Sequence, residues 1–168
     1  MELREKLPAH AISLTVANRP GVLVRVALVF SRRGFNIDSL VVSPAIDGDF
    51  SRMNIVARGE PRELGQMITQ LEKLVDVVAA KDHTDDDVVM RELALIKVLC
   101  SPEERSEILQ LVQHFRATTV DMTESSMTIQ VTGESEKIDA MTRLCSKFHM
   151  VEFIRTGKVI VARGPEAT

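Results

Sequence analysis

Apolar and polar positions along the chain repeat one pattern twice, first from His10 and again from Val89, about eighty residues later. Each half predicts strand, helix, strand, strand, helix, strand. Ile12, Leu14 and Val16 alternate with Ala11, Ser13 and Thr15, the period-two pattern of a half-buried strand. From Gly21 to Arg33 the period lengthens to that of a helix, with Leu23, Val26, Ala27 and Phe30 on one face and Arg25, Arg32 and Arg33 off it. Gly34 ends that helix as a left-handed cap. Asn36 to Ser43 and Phe50 to Ala57 form a hairpin around Pro44-Ala45-Ile46-Asp47-Gly48-Asp49. Pro61 opens a second helix, Leu64, Met67, Ile68, Leu71 and Leu74 follow at helical spacing, and Val75 to Ala80 is the closing strand.

The acidic run Asp82-His83-Thr84-Asp85-Asp86-Asp87 has no periodicity and predicts a solvated linker. Beyond it Met90 to Leu99 reads as strand, and Ser101-Pro102-Glu103-Glu104 as a capping box with Pro at the first helical position. Ile108, Leu111, Val112 and Phe115 form that helix's buried stripe. Thr118 to Thr123 and Met127 to Thr132 form a hairpin. A last helix carries Ile138, Met141 and Cys145 inward, Met150 to Thr156 closes the unit, and Lys158 to Ala162 adds a short strand.

This order predicts an α+β fold of two tandem ferredoxin-like βαββαβ sandwiches, one over residues 8–82 and one over 88–164. A unit of about eighty residues buries a little over 60% of its unfolded surface and is marginal alone, so association is expected. In the second half Leu93 and Leu95 lie on one face of their strand and Ala94, Ile96 and Val98 on the other, while Val151 and Phe153 oppose Ile154. The unit's own helices cover one face only. Leu93, Ile96 and Val98 are therefore expected at a partner interface.

The 168 residues carry 21 Lys+Arg against 24 Asp+Glu, a net charge of −3 that excludes electrostatic capture of nucleic acid or anionic membrane as the main activity. Aromatics are 4%, with no Trp or Tyr, which removes the stacking platforms that RNA binding needs. Cys100 and Cys145 stand apart from each other and from any paired His, as buried reduced thiols do. No apolar run reaches the length of a membrane span, and Met1-Glu2-Leu3-Arg4-Glu5-Lys6 is a charged start with no signal-peptide core behind it. A cytoplasmic location is expected.

Motifs of catalysis are missing: there is no G-x-x-x-x-G-K-[ST], G-x-G-x-x-G, H-E-x-x-H, G-x-S-x-G or C-x-x-C. His10, His83, His114 and His149 each stand without a second ligand at helix or strand spacing, so neither a metal site nor a catalytic residue is expected. The turn Asn18-Arg19-Pro20-Gly21-Val22-Leu23 offers different chemistry. Pro20 loses no hydrogen bond in a first helical turn, and Gly21 lets the backbone approach a ligand closely. The following N–H groups and the helix dipole suit a small carboxylate. Asn18 either caps the helix or holds a polar group of a ligand.

The D/N-x-P-G-V-L turn, the helix and the R-G-x-N-I segment Arg33-Gly34-Phe35-Asn36-Ile37 together resemble an ACT domain, a small-molecule sensing module of amino-acid metabolism. The longer string from Gly21 through Asp38-Ser39-Leu40 is similar to the regulatory small subunit of acetolactate synthase (acetohydroxyacid synthase). So are Ser51-Arg52-Met53, Gln70-Leu71-Glu72-Lys73-Leu74-Val75-Asp76-Val77 and Arg91-Glu92-Leu93-Ala94-Leu95-Ile96-Lys97-Val98. The resemblance implies a non-catalytic subunit in branched-chain amino acid biosynthesis, whose ACT domain dimerises and binds valine. It places the effector site on Asn18, Gly21 and Asn36, with Val22 and Leu23 supplying N–H groups and apolar wall. The second domain is expected to associate with the catalytic large subunit. Thiamine diphosphate, a divalent metal and FAD are expected on that partner, and no cofactor on this chain. Two rival readings are an ACT sensor serving another partner, and a small acyl-phosphate hydrolase using Arg19 as anion binder.

Overall fold

The computed structural model describes residues 7–46, 48–165 and 168. The expected turn residue Asp47 and the charged start Met1 to Lys6 lie outside the described residues. The chain divides into two compact units, Met1–Val89 with Gly157–Thr168, and Met90–Thr156. The first contains β1 (Ala9–Ala17), α1 (Val22–Arg32), β2 (Asn36–Pro44), β3 (Phe50–Arg58), α2 (Pro61–Glu72) and β4 (Val77–Asp82). After β5 (Val88–Leu99), the second runs through α3 (Pro102–His114), β6 (Thr118–Met122), β7 (Ser126–Gly133), α4 (Ser135–Cys145) and β8 (His149–Arg155), with β9 (Val159–Ala162) in the tail. The antiparallel strand orders are β2-β3-β1-β4 and β6-β7-β5-β8, the same arrangement twice. Both units are ferredoxin-like sandwiches. Among the described residues no helix is long and apolar enough to cross a membrane.

In the first unit Ile12, Leu14 and Val16 of β1 join Met53, Ile55 and Ala57 of β3 under α1 and α2. The helix stripe differs from the expected one. Val22, Val26, Val29 and Phe30 are buried, whereas Leu23, Val24 and Leu28 are 43%, 62% and 46% exposed. Residues 22–30 are apolar nearly all round, so periodicity left the orientation open, and packing selected the i, i+4, i+7, i+8 stripe. Gly34, at φ 73°, ends α1 in the left-handed region as expected. At the corresponding end of α3 the left-handed residue is Arg116, at φ 48°.

β1 is buried on both faces, not half-buried. On the face away from the helices, Ala11 and Ser13 meet Val56 and Asn54 in register. His83 is 0% exposed and seals this face: its Nδ1 is hydrogen-bonded with Asp86 Oδ2 at 2.9 Å, and its Nε2 with Ser13 Oγ at 2.8 Å. The acidic run is thus no solvated linker at its start, because its backbone also continues the sheet, His83 N–H reaching Ala11 O at 2.7 Å. Gly157–Thr168 groups with this unit, and the short strand expected from Lys158 to Ala162 is β9, which pairs with β5. Lys158 N–H donates to Ser39 Oγ at 3.1 Å, and Gly157 lies where a Cβ would meet Ser39 Oγ and Val41 Cγ2 at 2.8 Å.

The second core gathers Ala94, Ile96 and Val98 of β5 with Met127, Ile129 and Val131 of β7 under Ile108, Val112, Ile138 and Met141. The Ser101–Glu104 capping box opens α3. Cys100 and Cys145 are free and buried, and burial pushes the Cys145 thiol up. Buried Glu92 accepts from Ser135 and Arg155, and Arg155 also reaches Asp139 at 2.6 Å. The hydrogen bond to Glu92 and the Asp139 charge hold the Arg155 guanidinium still more firmly protonated, against partial desolvation.

Two substitutions test these packing arguments in urea unfolding followed by circular dichroism. His83→Ala removes a fully buried ring and orphans Ser13, and should cost about 3 kcal/mol. Arg116→Gly relieves a left-handed residue and should stabilise by about 1 kcal/mol.

Candidate functional site

The β1–α1 turn is held from two sides. Ala17 N–H donates to Asp76 O at 2.8 Å, and Asn18 N–H to Asp49 O at 2.8 Å. Asn18 Nδ2 donates to Gly48 O at 3.0 Å, so this amide ties the turn to the β2–β3 hairpin and does not cap the helix. Gly21 occupies the N-cap position at φ 82°, and α1 has no side-chain cap and no acidic residue in its first turn. The first-turn N–H groups therefore meet no carboxylate of their own helix. Arg25 lies alongside, its guanidinium 3.3 Å from where a Gly21 Cβ would stand and paired with Asp76 at 2.6 Å. Arg19 is exposed in the same turn. Helix dipole and guanidinium together make this end of the unit attractive to a small anion.

The expected site residues do not share one environment. Val22 is 2% exposed with its side chain in the core, so only its backbone faces the turn, whereas Leu23 is exposed and supplies apolar surface. Asn36 begins β2 at the opposite end of the sheet. It pairs with Arg58, which pairs with Ala9, whereas Asn18 follows Ala17, whose partner is Phe50. The nine residues of β1 thus separate Asn18 from Asn36 by on the order of 27 Å. Asn36 is exposed, its Nδ2 donates to Asp38 Oδ1 at 2.9 Å, and Asp38 also accepts from Arg58 at 2.6 Å. Beside it Ala27, Phe30, Ser31 and Ile37 line an open cavity of about 420 Å³.

In the second unit, two of the three expected interface positions are corrected. Ile96 and Val98 are 0% exposed beneath α3 and α4, because the even-numbered residues of β5 point to the unit's own helices. Leu93 lies on the open face, half-buried.

Sequence reasoning missed the Ser13–His83–Asp86 chain. Its signal was present in the three-residue spacing of His83 and Asp86, but the long-range partner Ser13 is supplied by the fold. The geometry is that of a hydrolytic triad. Yet Ser13 is 4% and His83 0% exposed, so no substrate reaches the hydroxyl, and the chain of bonds acts as a clamp. Among the described residues no three His, Cys, Asp or Glu side chains converge as a metal site.

Family models match both units: one for an AHAS small subunit-like ACT domain over residues 12–79, and one for the small subunit of acetolactate synthase over residues 91–164. The chain is 44% identical over 158 residues to the acetolactate synthase small subunit of Mycolicibacterium smegmatis, covering 94% of this chain and 93% of the relative. The chain belongs to the acetolactate synthase small-subunit family. A probable acetolactate synthase small subunit of Archaeoglobus fulgidus is also 44% identical, over 92% of this chain and 97% of that protein. A crystal structure of the small subunit from Thermotoga maritima superposes with a TM-score of 0.87 at 36% identity, over 95% of this chain and 100% of that one. Family membership thus spans both sandwiches, and the ACT match contains every residue from Asn18 to Asn36.

Gly21 is the position where this family frame and local geometry make the sharpest demand. Gly21→Ala puts a Cβ into the left-handed region against Arg25, and the thermal unfolding midpoint should fall by about 3 to 6 °C. An unchanged midpoint would show that the turn relaxes without strain.

Proposed function

We propose that this chain is the non-catalytic regulatory subunit of an acetolactate synthase. In this reading it works in the cytoplasm, raises the activity of the thiamine-diphosphate-dependent catalytic subunit, and confers feedback inhibition by valine or a closely related branched-chain amino acid. Thiamine diphosphate, the divalent metal and FAD belong to the catalytic subunit, and none to this chain. The observation that carries the reading is the placement of Asn18 and Asn36 at opposite ends of one sheet. A single copy cannot use both on one small ligand.

A homodimer can. β2 is one of the two edges of the first sheet, and two such edges joined antiparallel about their midpoints set Asn36 of one copy beside Pro44 of the other. Pro44 pairs with Ser51 at the end of the sheet where Asn18 is tied to the hairpin, so the mate's Asn36 approaches the anion-binding turn. The exposed Leu23, Val24 and Leu28 of α1 are apolar surface that such a mate would cover. The effector's carboxylate then meets the N–H groups at Gly21 to Leu23. Its ammonium meets amide oxygens of Asn18 and the mate's Asn36, and its short side chain meets Leu23. Leu93 and its neighbours on the open face of the second sheet are the surface left for association with the catalytic subunit.

Reconstitution with a catalytic subunit tests the reading. The chain should raise acetolactate formation and make it valine-sensitive. Asn18→Ala should raise the half-inhibiting valine concentration at least about tenfold. The same change removes one exposed hydrogen bond, worth under about 1 kcal/mol, so the unfolding midpoint should stay within about 3 °C. An unchanged inhibition curve would remove Asn18 from the site.

A further inference from the structure

The chain leaves the first unit after Val89 and re-enters it at Gly157, so two crossings join the units covalently. Both are tied to the first sheet, and they are tied differently. The outgoing crossing is anchored to the central strand β1 by the buried His83 ring, by His83 N–H on Ala11 O at 2.7 Å, and by Ala11 N–H on Thr84 Oγ1 at 3.3 Å. The returning crossing, Thr156-Gly157-Lys158, lies on the edge strand β2 and is partly exposed. Lys158 N–H donates to Ser39 Oγ at 3.1 Å. A Cβ on Gly157 would stand 2.8 Å from Ser39 Oγ and Val41 Cγ2, and 3.2 Å from the Leu40 backbone nitrogen. At the other end Thr156 N–H donates to Leu93 O at 2.9 Å, and Thr156 Oγ1 accepts from Leu93 N–H at 3.0 Å. The residue before it, Arg155, holds the buried Glu92. Three residues of backbone thus run from Leu93 of β5 to Ser39 of β2.

Ser39 also stands next to a bulge. The β2–β3 register shifts between Ile37 and Ser39, which leaves Asp38 out of the ladder. Asn36 Nδ2 donates to Asp38 Oδ1 at 2.9 Å, and Arg58 donates to Asp38 Oδ2 at 2.6 Å. One amide therefore holds the bulge with its nitrogen, and in the reading proposed above its oxygen meets the effector. Bulges re-aim the side chains beside them, and the side chain beside this one carries the returning crossing. We infer that Thr156-Gly157-Lys158 is a strap that transmits effector occupancy from the first unit to Leu93 in the second. An effector that draws on Asn36 shifts the Asp38 bulge, Ser39 moves with it, and the balance changes between a strap seated on β2 and one lifted from it. A hydrogen bond of this kind amounts to about two- to tenfold in an equilibrium constant, the scale of the roughly 5- to 150-fold couplings found between sites. Ser39 and Gly157 act as positioning residues and touch no effector. The inference rests on the first-unit effector reading and names how that site is coupled to the rest of the chain.

Holoenzyme reconstituted from the full chain and a catalytic subunit tests it with two variants. Ser39→Ala removes the acceptor, and Gly157→Ala adds a Cβ that must lift the strap. Calorimetry should find valine bound to each with a Kd within about threefold of the parent, yet each holoenzyme should keep at least about threefold more activity at saturating valine than the parent does. Ser39→Thr restores the hydroxyl and should restore the inhibition, which a change of packing alone would not do. In the full chain without its partner, valine should change hydrogen exchange at the Leu93 amide in the parent and in Ser39→Thr, and leave it unchanged in Ser39→Ala. Should Gly157→Ala fail to fold, the Ser39→Ala and Ser39→Thr pair decides. Parental inhibition in Ser39→Ala, or loss of valine affinity in that variant while it stays folded, overturns the strap and leaves the effector reading standing. A parent chain that neither binds valine nor confers inhibition overturns the effector reading, and the strap with it.

Discussion

Two helices cover one face of a four-stranded antiparallel sheet, and the opposite face must be covered by something else or left to water. Every notable feature of this chain follows from how each unit meets that constraint. In the first unit the far face is closed by short pieces of its own chain. His83 sits over Ser13, Gly157 and Lys158 over Ser39 and Val41, and Thr168 O accepts from Arg52 at 2.5 Å. In the second, the face that carries Leu93, Leu95 and Lys97 stays half-open. The same fold twice thus yields one sheet filled on both sides and one with a free side.

The closure of the first sheet is polar because the strands beneath it are. Ser13 and Asn54 face each other across β1 and β3, and an apolar cover would have left both unpaired. A histidine resolves the Ser13 half of this problem, since one ring meets a hydroxyl with one nitrogen and a carboxylate with the other. The resulting Ser-His-Asp chain shows how little such geometry says about catalysis when nothing opens onto it. It fixes the segment after β4 to the middle of β1, the strand that leads into the β1–α1 turn.

The elements were legible in the sequence wherever two periods met a breaker. Pro61, Pro102 and Gly34 bound their helices where the chemistry of proline and left-handed glycine requires. What stayed illegible was orientation and long-range closure. α1 is apolar on nearly every side, so the stripe that included Leu23 was as good locally as the one the fold selected. Asp82 to Asp87 reads as linker by charge, and only the presence of Ser13 on a neighbouring strand makes His83 a buried residue. Alternation separated the two faces of β5 correctly but could not say which faced the helices, which is why Ile96 and Val98 stood beside Leu93 as interface candidates. At the candidate site the turn was legible as chemistry, yet the bond that takes the Asn18 amide away from the helix end goes to Gly48, thirty residues away, which no local pattern shows.

A site divided between the two ends of one sheet has a thermodynamic consequence that a site within one copy lacks. In the proposed dimer the ligand is held by the turn of one chain and the Asn36 of another, so it binds the associated state and not the separated one. Each bound molecule then stabilises that arrangement by RT ln(1 + [L]/Kd), and dimer geometry in turn sets ligand affinity by the same factor. No residue has to react for this coupling to act. A sensor of this kind needs a helix end without its own anion, an edge strand without its own partner, and an apolar helix face without its own cover. The first unit presents all three on one side of its sandwich: the uncapped turn at Gly21, the β2 edge, and Leu23, Val24 and Leu28.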